Sequence, residues 1–324
     1  MTKNRCCKCS IVIRCRNEEE HIGRLLSGIM QQTVNDFEVI VVDSGSTDAT
    51  LTIASRYPVK IIAITPEDFT FGYSLNSGCR EATGEFIVIV SAHVYPVYRD
   101  WLQKLLAPFE DPNVALVYGK QRGDSSTKYS EKQIFKKWFP DKSDLRQGHP
   151  FCNNANAAIR RALWEELPYN NELTGLEDLD WAKRSMERGH SIAYAAEAEV
   201  VHVHREKPLQ TYNRYLREGM AHKRIFPEQN FNLWDFLRML VLNIITDFRH
   251  ALRDKESQNN LLTVLLSIPL FRLMQFWGTF RGFARPGVIT SQLKRRFYYP
   301  DSLVYPETTT ADNAEEQRID YSKL

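Results

Sequence analysis

Three histidines at the ends of two apolar segments are the most direct candidates for chemistry in this sequence. His93 comes shortly after the apolar run Phe86–Val90, and His202 and His204 end a second apolar run. An apolar run between polar residues is typical of a central parallel strand, and in open α/β sheets ligands bind beyond the carboxyl ends of such strands. Neutral imidazole binds manganese, zinc and iron. The pattern predicts a cation site formed by histidines from two strand ends; the alternative for His93 is a hydrogen-bonded core residue.

A group of acidic residues begins another predicted element and offers a general base. Thr174–Glu177 has the spacing of a capping box, and an amphipathic helix is predicted to follow as far as Gly189. The field of the helix dipole is a sufficient structural reason for Glu177, Asp178 and Asp180 at this position. A carboxylate at a helix start also stays ionised, which a general base for a hydroxyl group requires at neutral pH. Asp178 is the candidate for that base.

Asp43 ends the apolar segment Phe37–Val42 at a polar turn that reaches Asp48. Its carboxylate can accept a hydrogen bond from a nucleobase or ribose held over the sheet edge, or it can stabilise its own turn. The turn lacks the glycine spacing of a dinucleotide-binding fingerprint or a P-loop. A nicotinamide-dependent dehydrogenase and a P-loop ATPase are therefore disfavoured.

The elements that position these residues alternate between strand and helix over the first two hundred residues. Repeated units of this kind predict an α/β fold with a mainly parallel sheet covered by helices on both faces. The segment 121–150 is predicted to be a long loop or a helical insertion with a functional role. The predicted strands are Ser10–Ile13, Phe37–Val42, Val59–Ile64, Glu85–Val90 and Val114–Tyr118, and the predicted helices are Glu18–Gln32, Ala49–Arg56, Leu75–Ala82 and Trp101–Phe109.

Composition limits the class of protein. The 324 residues carry a net charge of only +2, which gives no support for nucleic acid as a partner. Three of the six cysteines lie in Cys6-Cys7-Lys8-Cys9, but a second pair at zinc spacing is missing, so reduced thiols are favoured over a zinc site. The N-terminus shows no apolar segment typical of a secretory signal, and a cytoplasmic location is expected.

The C-terminal third no longer alternates between strand and helix and is predicted to be helical. Helices are predicted over Leu209–Phe226 and Leu233–Phe248, and the apolar run Leu261–Phe271 is too short to span a bilayer. A helix buried in the fold or in a homo-oligomer is one interpretation, and a helix lying in the membrane interface is the other. The interfacial reading is favoured by nearby aromatic and basic residues, which are Trp277, Phe280, Phe283, Arg272, Arg281, Arg285, Lys294, Arg295 and Arg296.

Five motifs in a fixed order carry a resemblance to a known family. They read SIVIRCRNEEEHIGRLLSGIMQQ, FEVIVVDSGSTDAT, LNSGCREATGEFIVIVSAH, LEDLDWAKR and HVH. Together they resemble the family 2 glycosyltransferases of the GT-A fold over about residues 10–205. The segments Tyr118–Gln121 and Asn153–Asn156 are similar to the rhamnosyltransferase-like branch. The resemblance implies a Rossmann-like catalytic domain over residues 1–205. The change in sequence after His204 predicts a helical C-terminal region over 206–300 and a polar tail over 301–324.

The resemblance also implies roles for individual residues. Asp178 stands in the family's Glu-Asp position and would be the base, and Asp43 would hold the nucleobase or ribose. Ser91-Ala92-His93 takes the place of the family's metal-binding Asp-x-Asp, so that two carboxylates are lost and a site for a hard cation is weakened. The implied donor contacts are Arg14, Asp43, Ser44, Asn76, Arg80 and Ser91, and the implied metal ligands are His93, His202 and His204.

The expected activity is that of an inverting glycosyltransferase with a nucleotide-diphosphate sugar as donor and Mn²⁺ or Mg²⁺ as cofactor. Its acceptor would be a hydroxyl of a glycan or lipid-linked glycan in bacterial surface polysaccharide synthesis, reached from the inner face of the cell membrane. Two alternatives remain open. One is a degenerate GT-A domain that binds glycan or scaffolds a complex, and the other is a sugar-nucleotide nucleotidyltransferase.

Overall fold

A single sheet organises the chain in the computed structural model, which describes residues 7–254, 260–285, 293 and 297–298. In these residues the sheet has nine strands. They are β1 (Cys9–Cys15), β2 (Phe37–Asp43), β3 (Lys60–Ala63), β4 (Phe86–Ser91), β5 (Val94–Pro96), β6 (Val114–Arg122), β7 (Asp144–Gln147), β8 (Asn156–Arg160) and β9 (Ser191–His202).

The sheet order is β3-β2-β1-β4-β8-β6-β9-β5, with β7 also paired to β9. Strands β3, β2, β1 and β4 are parallel, as are β6 and β9, whereas β8, β5 and β7 pair in the antiparallel sense. The predicted α/β fold is therefore confirmed, although the sheet is more mixed than predicted because β5, β7 and β8 were not anticipated. The central position of β4, between β1 and β8, agrees with its apolar sequence.

Ten helices and one short 3₁₀ turn accompany the sheet in the described residues. Those of the first two hundred residues are α1 (Ile22–Met30), α2 (Thr50–Ala54), α3 (Phe71–Arg80), α4 (Trp101–Leu106), the 3₁₀ turn Ala107–Glu110, α5 (Tyr129–Trp138), α6 (Arg161–Glu166) and α7 (Glu177–Glu187). The helices that follow are α8 (Pro208–Ile225), α9 (Leu233–Arg253) and α10 (Leu261–Phe283).

Alternating strand residues bury two separate cores, one on each face of the sheet. Ile11 and Ile13 of β1 share a core with Trp101 of α4. Val12, which lies between them, belongs to the opposite core with Trp181 of α7. All five side chains are fully buried. This two-sided burial holds the carboxyl ends of β1, β2 and β4 at one edge of the sheet.

Strand β5 brings the two histidine segments together. It pairs antiparallel with the end of β9, so that Val94 lies opposite His202. The backbone N–H of Val203 donates to the carbonyl of His93 at 3.1 Å. Strand β9 is longer than predicted and ends at His202, so His204 lies just beyond it.

Helix α10 corrects the expectation of an apolar segment too short to span a bilayer. It continues past Pro269 to a total of 23 residues, and its length and composition suffice for crossing a membrane. Its second half packs closely on α8, where a Cβ atom on Gly282 would lie 2.4 Å from the carbonyl oxygen of Leu216. This packing continues the helix beyond the point at which the apolar sequence ends. Cys6, Lys294–Arg296 and the predicted tail 301–324 lie outside the described residues.

A buried polar network joins α10 to α9 and α5. The Arg272 guanidinium donates to both oxygens of Asp247, at 2.8 and 2.9 Å. The Ser130 hydroxyl donates to Asp247 at 2.6 Å. All three residues are at most 4% exposed. Because a buried ion pair is costly to break, the network fixes the C-terminal hairpin (α9 and α10) to the α5 insertion.

Candidate active site

The carboxyl edge of the sheet opens into a cavity of about 790 Å³ that extends to α7 and α8. A smaller recess of about 220 Å³ adjoins it and shares Arg14, Ser91 and His93 with it. The cavity also contains the predicted base and the other two histidines. Its walls include Arg14, Glu18, Phe71, Ser91, His93, Asn154, Leu176, Glu177, Asp178, His202, His204, Arg214, Arg217 and Glu218.

Asp178 lies at the cavity wall with its carboxylate held by backbone donors. The N–H groups of Asn154 and Leu179 donate to its two oxygens at 2.9 and 2.8 Å. Burial, followed by the negative charge of Glu177, raises the pKa of the Asp178 carboxyl to about 7. This corrects the expectation of a carboxylate that is simply ionised at a helix start. A carboxyl with a pKa near 7 is well matched to proton transfer at neutral pH.

The start of α7 also differs from the predicted capping box. The Thr174 hydroxyl donates to the carbonyl of Arg217 at 2.7 Å instead of capping the helix. Leu176 occupies the N-cap position with φ 55° and ψ 30°, in the left-handed region. A residue other than glycine is disfavoured there by roughly 1–2 kcal/mol, and such strain is concentrated at functional sites. The unusual turn presents Glu177 and Asp178 to the cavity.

Two arginines supply buried positive charge beside this acid pair. Arg14 Nη1 lies 3.4 Å from Glu177 Oε1, and the guanidinium carbons of Arg14 and Arg217 both lie 4.6 Å from the ring centroid of Phe71. In the described residues neither Arg14 Nη1 nor Arg217 Nε has a hydrogen-bond partner, although both atoms are buried. Buried N–H donors without partners suit an anionic ligand such as a diphosphate.

The three predicted histidines converge, as the sequence pattern indicated. One nitrogen from each of His93, His202 and His204 lies within 4.8 Å of the others. Burial lowers the pKa of His202 well below its usual value, which keeps this imidazole neutral. Its Nε2 atom is buried without a hydrogen-bond partner among the described residues.

This arrangement fits a divalent cation that accepts nitrogen ligands. Three imidazoles with one orphaned nitrogen suit zinc, iron or manganese better than magnesium, which prefers oxygen ligands. The group of candidate ligands that the described residues bring together consists of imidazoles alone. The three histidines thus fit a softer divalent ion better than Mg²⁺.

Of the remaining predicted donor contacts, two serines line the cavities and Asp43 is bonded within its own turn. Ser91 lines both cavities and Ser44 lines the smaller one. Asp43 is 3% exposed, and its carboxylate accepts from the backbone N–H groups of Gly45 and Ser46. Asp43 thus stabilises its own turn, which is the structural alternative given for it.

Two predicted donor contacts are placed elsewhere by the structure. The Asn76 amide donates to the Tyr169 carbonyl and to Asn171, and its oxygen accepts from Trp164 Nε1 and the Tyr169 N–H. Its hydrogen-bonding capacity is filled by the chain, and neither cavity includes it among its walls, so its contact with the nucleotide stays a prediction of the resemblance.

Arg80 is likewise outside the cavity. Its guanidinium donates to the Ser77 hydroxyl at 3.0 Å and lies 5.9 Å from the ring of Tyr73. Neither of the two cavities described above includes it among its walls. Its role as a donor contact likewise stays a prediction of the resemblance.

Several residues of the site escaped the sequence analysis. They include Glu18 and Glu131, which accept from His93 Nδ1 at 2.8 Å and from His204 Nδ1 at 2.7 Å. Gln121 Oε1 lies 2.8 Å from His202 Nδ1. Of these, Glu18 belongs to a quoted motif, but the chain separation of 73 residues between Glu131 and His204 leaves no local signal.

Comparison with known proteins agrees with this geometry. The sequence model of glycosyl transferase family 2 matches residues 10–167. The O-antigen chain rhamnosyltransferase WbaN of Salmonella anatum is 33% identical over 207 residues, covering 59% of this chain and 64% of that protein. The O-antigen chain rhamnosyltransferase RfbN of Salmonella typhimurium is 30% identical over 231 residues, covering 66% and 72%. The chain thus spans slightly under two thirds of the length of the first relative.

A solved structure supports the fold. The mannosyltransferase PcManGT from Pyrobaculum calidifontis, in complex with GDP-Man and Mn²⁺, aligns with a TM-score of 0.53 over 93% of this chain and 82% of that chain, at 19% identity. The mixed sheet with its cavity at the carboxyl edge is the architecture of a GT-A glycosyltransferase. The chain belongs to glycosyltransferase family 2, in its rhamnosyltransferase-like branch, which confirms the resemblance carried by the five motifs.

Proposed function

We propose that this enzyme is an inverting glycosyltransferase that transfers a sugar from a nucleoside-diphosphate sugar to a hydroxyl of a glycan or lipid-linked glycan in bacterial surface polysaccharide synthesis. The observation that carries the proposal is Asp178, a buried carboxyl with a pKa of about 7 in the same cavity as Arg14 and Arg217. Each arginine has one buried N–H group without a hydrogen-bond partner among the described residues. A base and an anion-binding site are the two parts that such a reaction requires.

In the proposed reaction the acceptor hydroxyl oxygen attacks the anomeric carbon of the donor sugar. Asp178 takes the hydroxyl proton, and the bond from the anomeric carbon to the diphosphate oxygen breaks with its electron pair on the leaving group. Arg14 and Arg217 donate to the diphosphate and stabilise its charge. Attack from the side opposite the leaving group inverts the anomeric centre.

The proposed cofactor is a divalent ion held by His93, His202 and His204. When bound, it would offset part of the charge on the leaving diphosphate. Support for an ion comes from the orphaned nitrogen of His202 and from the Mn²⁺ in the related mannosyltransferase structure.

The smaller recess is the proposed position of the nucleoside. Its walls combine the Ser44 turn with Phe69, Phe71 and Tyr298, whose rings pack edge to face at 4.9–5.5 Å. Aromatic walls of this kind accommodate a planar base. Because the named relatives are rhamnosyltransferases, we favour a deoxyhexosyl donor.

The C-terminal hairpin is the proposed contact with the inner face of the membrane. Apolar side chains spaced at helical intervals are exposed on both of its helices, and α9 adds the exposed Arg238, Arg249 and Arg253. Burial of apolar surface and roughly 1 kcal/mol for each basic residue near an anionic leaflet would act together. The exposed apolar residues are Leu233, Trp234, Leu237, Val241, Leu242, Ile245, Leu252, Leu262, Leu266, Leu270 and Leu273.

A helix lying on the membrane is favoured here over a span, despite the length of α10. Arg272, near the middle of the helix, is buried in its ion pair with Asp247. Gly278 and Gly282 pack on α8, which belongs to the cavity wall. Inserting α10 across a bilayer would separate these contacts and leave a charge without its partner.

Flotation of the full chain with vesicles tests the membrane contact. Leu266→Asp combined with Leu270→Asp should abolish flotation on anionic vesicles, whereas Leu145→Asp, at a comparably exposed leucine on β7, should leave it unchanged. Wild-type binding should weaken as salt is raised. Equal flotation of all three proteins, or resistance of the wild-type complex to high salt and alkaline extraction, contradicts an interfacial contact.

The catalytic proposal is tested by two measurements on the full chain. UDP-, dTDP-, GDP- and CMP-sugars are screened for a rise in Tm, because a ligand that binds only the folded state stabilises it. The stabilising donor is then incubated with membrane glycolipid, and release of nucleoside diphosphate is measured. A degenerate binding domain would be stabilised but would release nothing, and a nucleotidyltransferase would release pyrophosphate from a sugar phosphate and a nucleoside triphosphate.

A further inference from the structure

Each of the three imidazoles of the cavity has a hydrogen-bond partner at Nδ1, the ring nitrogen next to Cγ. In each, Nδ1 contacts an acceptor from a different element: Glu18 before α1, Gln121 at the end of β6, and Glu131 in α5. The three distances are 2.8, 2.8 and 2.7 Å. An acceptor at Nδ1 places the proton of a neutral imidazole there and leaves the lone pair on Nε2.

The orientation of Gln121 is fixed by a chain of hydrogen bonds that begins at the backbone. The Ala155 N–H donates to Asn153 Oδ1 at 2.9 Å, which identifies this atom as the oxygen. The same oxygen accepts from Gln121 Nε2 at 3.0 Å. Gln121 therefore turns its oxygen toward His202 Nδ1, and the proton of His202 is on Nδ1. His202 Nε2, which has no hydrogen-bond partner among the described residues, is thus an acceptor with a free lone pair.

The Glu131 carboxylate is held by a second partner, and Glu18 is anchored through its backbone. Glu131 is 3% exposed and accepts from Arg214 Nη2 at 2.7 Å as well as from His204. Glu18 has its backbone N–H bonded to Thr50, and in the described residues its side chain pairs with His93 alone. Fixed carboxylates behind metal-binding imidazoles set the ring orientation and raise the basicity of the ligand.

We propose that Glu18, Gln121 and Glu131 are positioning residues of a three-imidazole centre, and that this centre binds a divalent transition-metal ion in preference to Mg²⁺. Nitrogen ligands select such ions, whereas Mg²⁺ keeps oxygen ligands and water. The inference deepens the proposed function and rests on it only for the role of the ion beside the leaving diphosphate. Binding of the metal itself requires no donor.

The test is metal binding by the full chain after removal of metals with a chelator, without nucleotide. Co²⁺ is titrated and followed both calorimetrically and by its visible absorption. We expect one ion per chain, loss of the signal in His202→Ala, and no displacement by Mg²⁺ at a hundredfold excess. Absence of Co²⁺ binding, or displacement by Mg²⁺ at equal concentration, overturns the proposal.

Variants of the positioning residues separate orientation from charge. Gln121→Leu and Glu18→Ala each remove an Nδ1 acceptor and should weaken Co²⁺ binding about 10–100-fold. Glu131→Gln keeps an acceptor and should show a smaller loss. Glu20→Gln is the control, because Glu20 lines the same cavity but pairs with the exposed Arg205, so its affinity should stay within about twofold of wild type.

Circular dichroism checks that each variant is folded. If a variant of the buried Gln121 or Glu131 does not fold, Glu18→Ala, at the cavity edge, still tests the positioning role. Wild-type affinity in both Gln121→Leu and Glu18→Ala overturns the positioning role. Donor turnover measured in parallel distinguishes the two proposals. A chain that releases nucleoside diphosphate in EDTA but binds no Co²⁺ retains the proposed function and loses this inference.

Discussion

Two buried carboxyl groups, Asp178 in the cavity wall and Glu131 behind the wall residues His204 and Arg214, differ in protonation although they are buried to a similar extent. Asp178 is 8% exposed and Glu131 is 3% exposed. Burial and the neighbouring charge of Glu177 raise the pKa of Asp178 to about 7. Burial acts on Glu131 in the same direction, but hydrogen bonds and charge from His204 and Arg214 outweigh it and lower the pKa of Glu131 to about 2.

The difference shows that the partner of a buried carboxyl decides its role. Asp178 has backbone donors and an acidic neighbour, so it can exchange a proton near pH 7 and act as a base. Glu131 has cationic and imidazole donors, so it stays ionised and orients its partners. Asp178 is therefore suited to proton transfer, and Glu131 is suited to holding His204 and Arg214 in place.

The largest expected effect comes from removing the exchangeable proton site. Asp178→Asn should keep donor binding but lower turnover about 10²–10⁴-fold, the usual range for loss of a general base. Asp180→Asn is the matched control, since Asp180 pairs with Arg184 on the next helical turn at 2.8 Å. Initial-rate kinetics with saturating donor measure both. If Asp178→Asn is active and Asp180→Asn is inactive, the assignment of the base to Asp178 is wrong.

An intermediate effect is expected for stability on the histidine side. Glu131→Gln in EDTA should lower the free energy of unfolding by about 1–3 kcal/mol at pH 7. Because the folded pKa of Glu131 lies below its ordinary value of 4.5, its stabilisation is complete above about pH 4.5 and is lost as the pH falls toward 2. The difference from wild type should therefore shrink over that interval in urea titrations.

The exposed pair of Glu172 and Arg224 provides the control for this measurement. Glu172→Gln removes the same charge from a site whose carboxylate side chain is 68% exposed, and its effect should stay below about 0.5 kcal/mol. A Glu131→Gln protein as stable as wild type at pH 7 would mean that the cationic partners do not stabilise the carboxylate.

The smallest effect is a shift in the pH profile. Since the ionised form of Asp178 is the active base, kcat/KM of the wild type should rise with pH through about 7. Glu177→Gln removes the neighbouring charge while burial remains, so the midpoint should move down by about 0.5–1 pH unit. An unchanged or higher midpoint would show that Glu177 does not act on Asp178 through its charge.

Sequence patterns predicted the framework and part of this comparison. The apolar run before His93 is β4, the Phe37–Val42 run is β2, and the histidines at two strand ends do meet. These features follow from local periodicity and from the rule that ligands gather at strand ends. Asp178 was found through its position in a motif, but its pKa was not, because burial and the approach of Glu177 depend on the whole fold.

The missed features depend on contacts between distant segments. Thr174 matched a capping box, yet its hydroxyl bonds α8 and the helix begins at a left-handed leucine instead. Glu131 lies in a segment that offered only a polar composition, and its partners come from after β9. The apolar run was predicted over Leu261–Phe271 only, whereas packing on α8 accompanies a helix that continues to Phe283.

Ser130 and Glu131 are consecutive residues of α5 that bind two different neighbours. The Ser130 hydroxyl bonds Asp247 in the C-terminal hairpin, and Glu131 bonds His204 beside the cavity. Successive residues of a helix rise by about 1.5 Å and are separated by about 100° around its axis, so they face different sides of one rigid turn. If α5 shifts together with the hairpin, Glu131 shifts by the same distance. A displacement of the hairpin would therefore reach the His204 imidazole through this one helical turn.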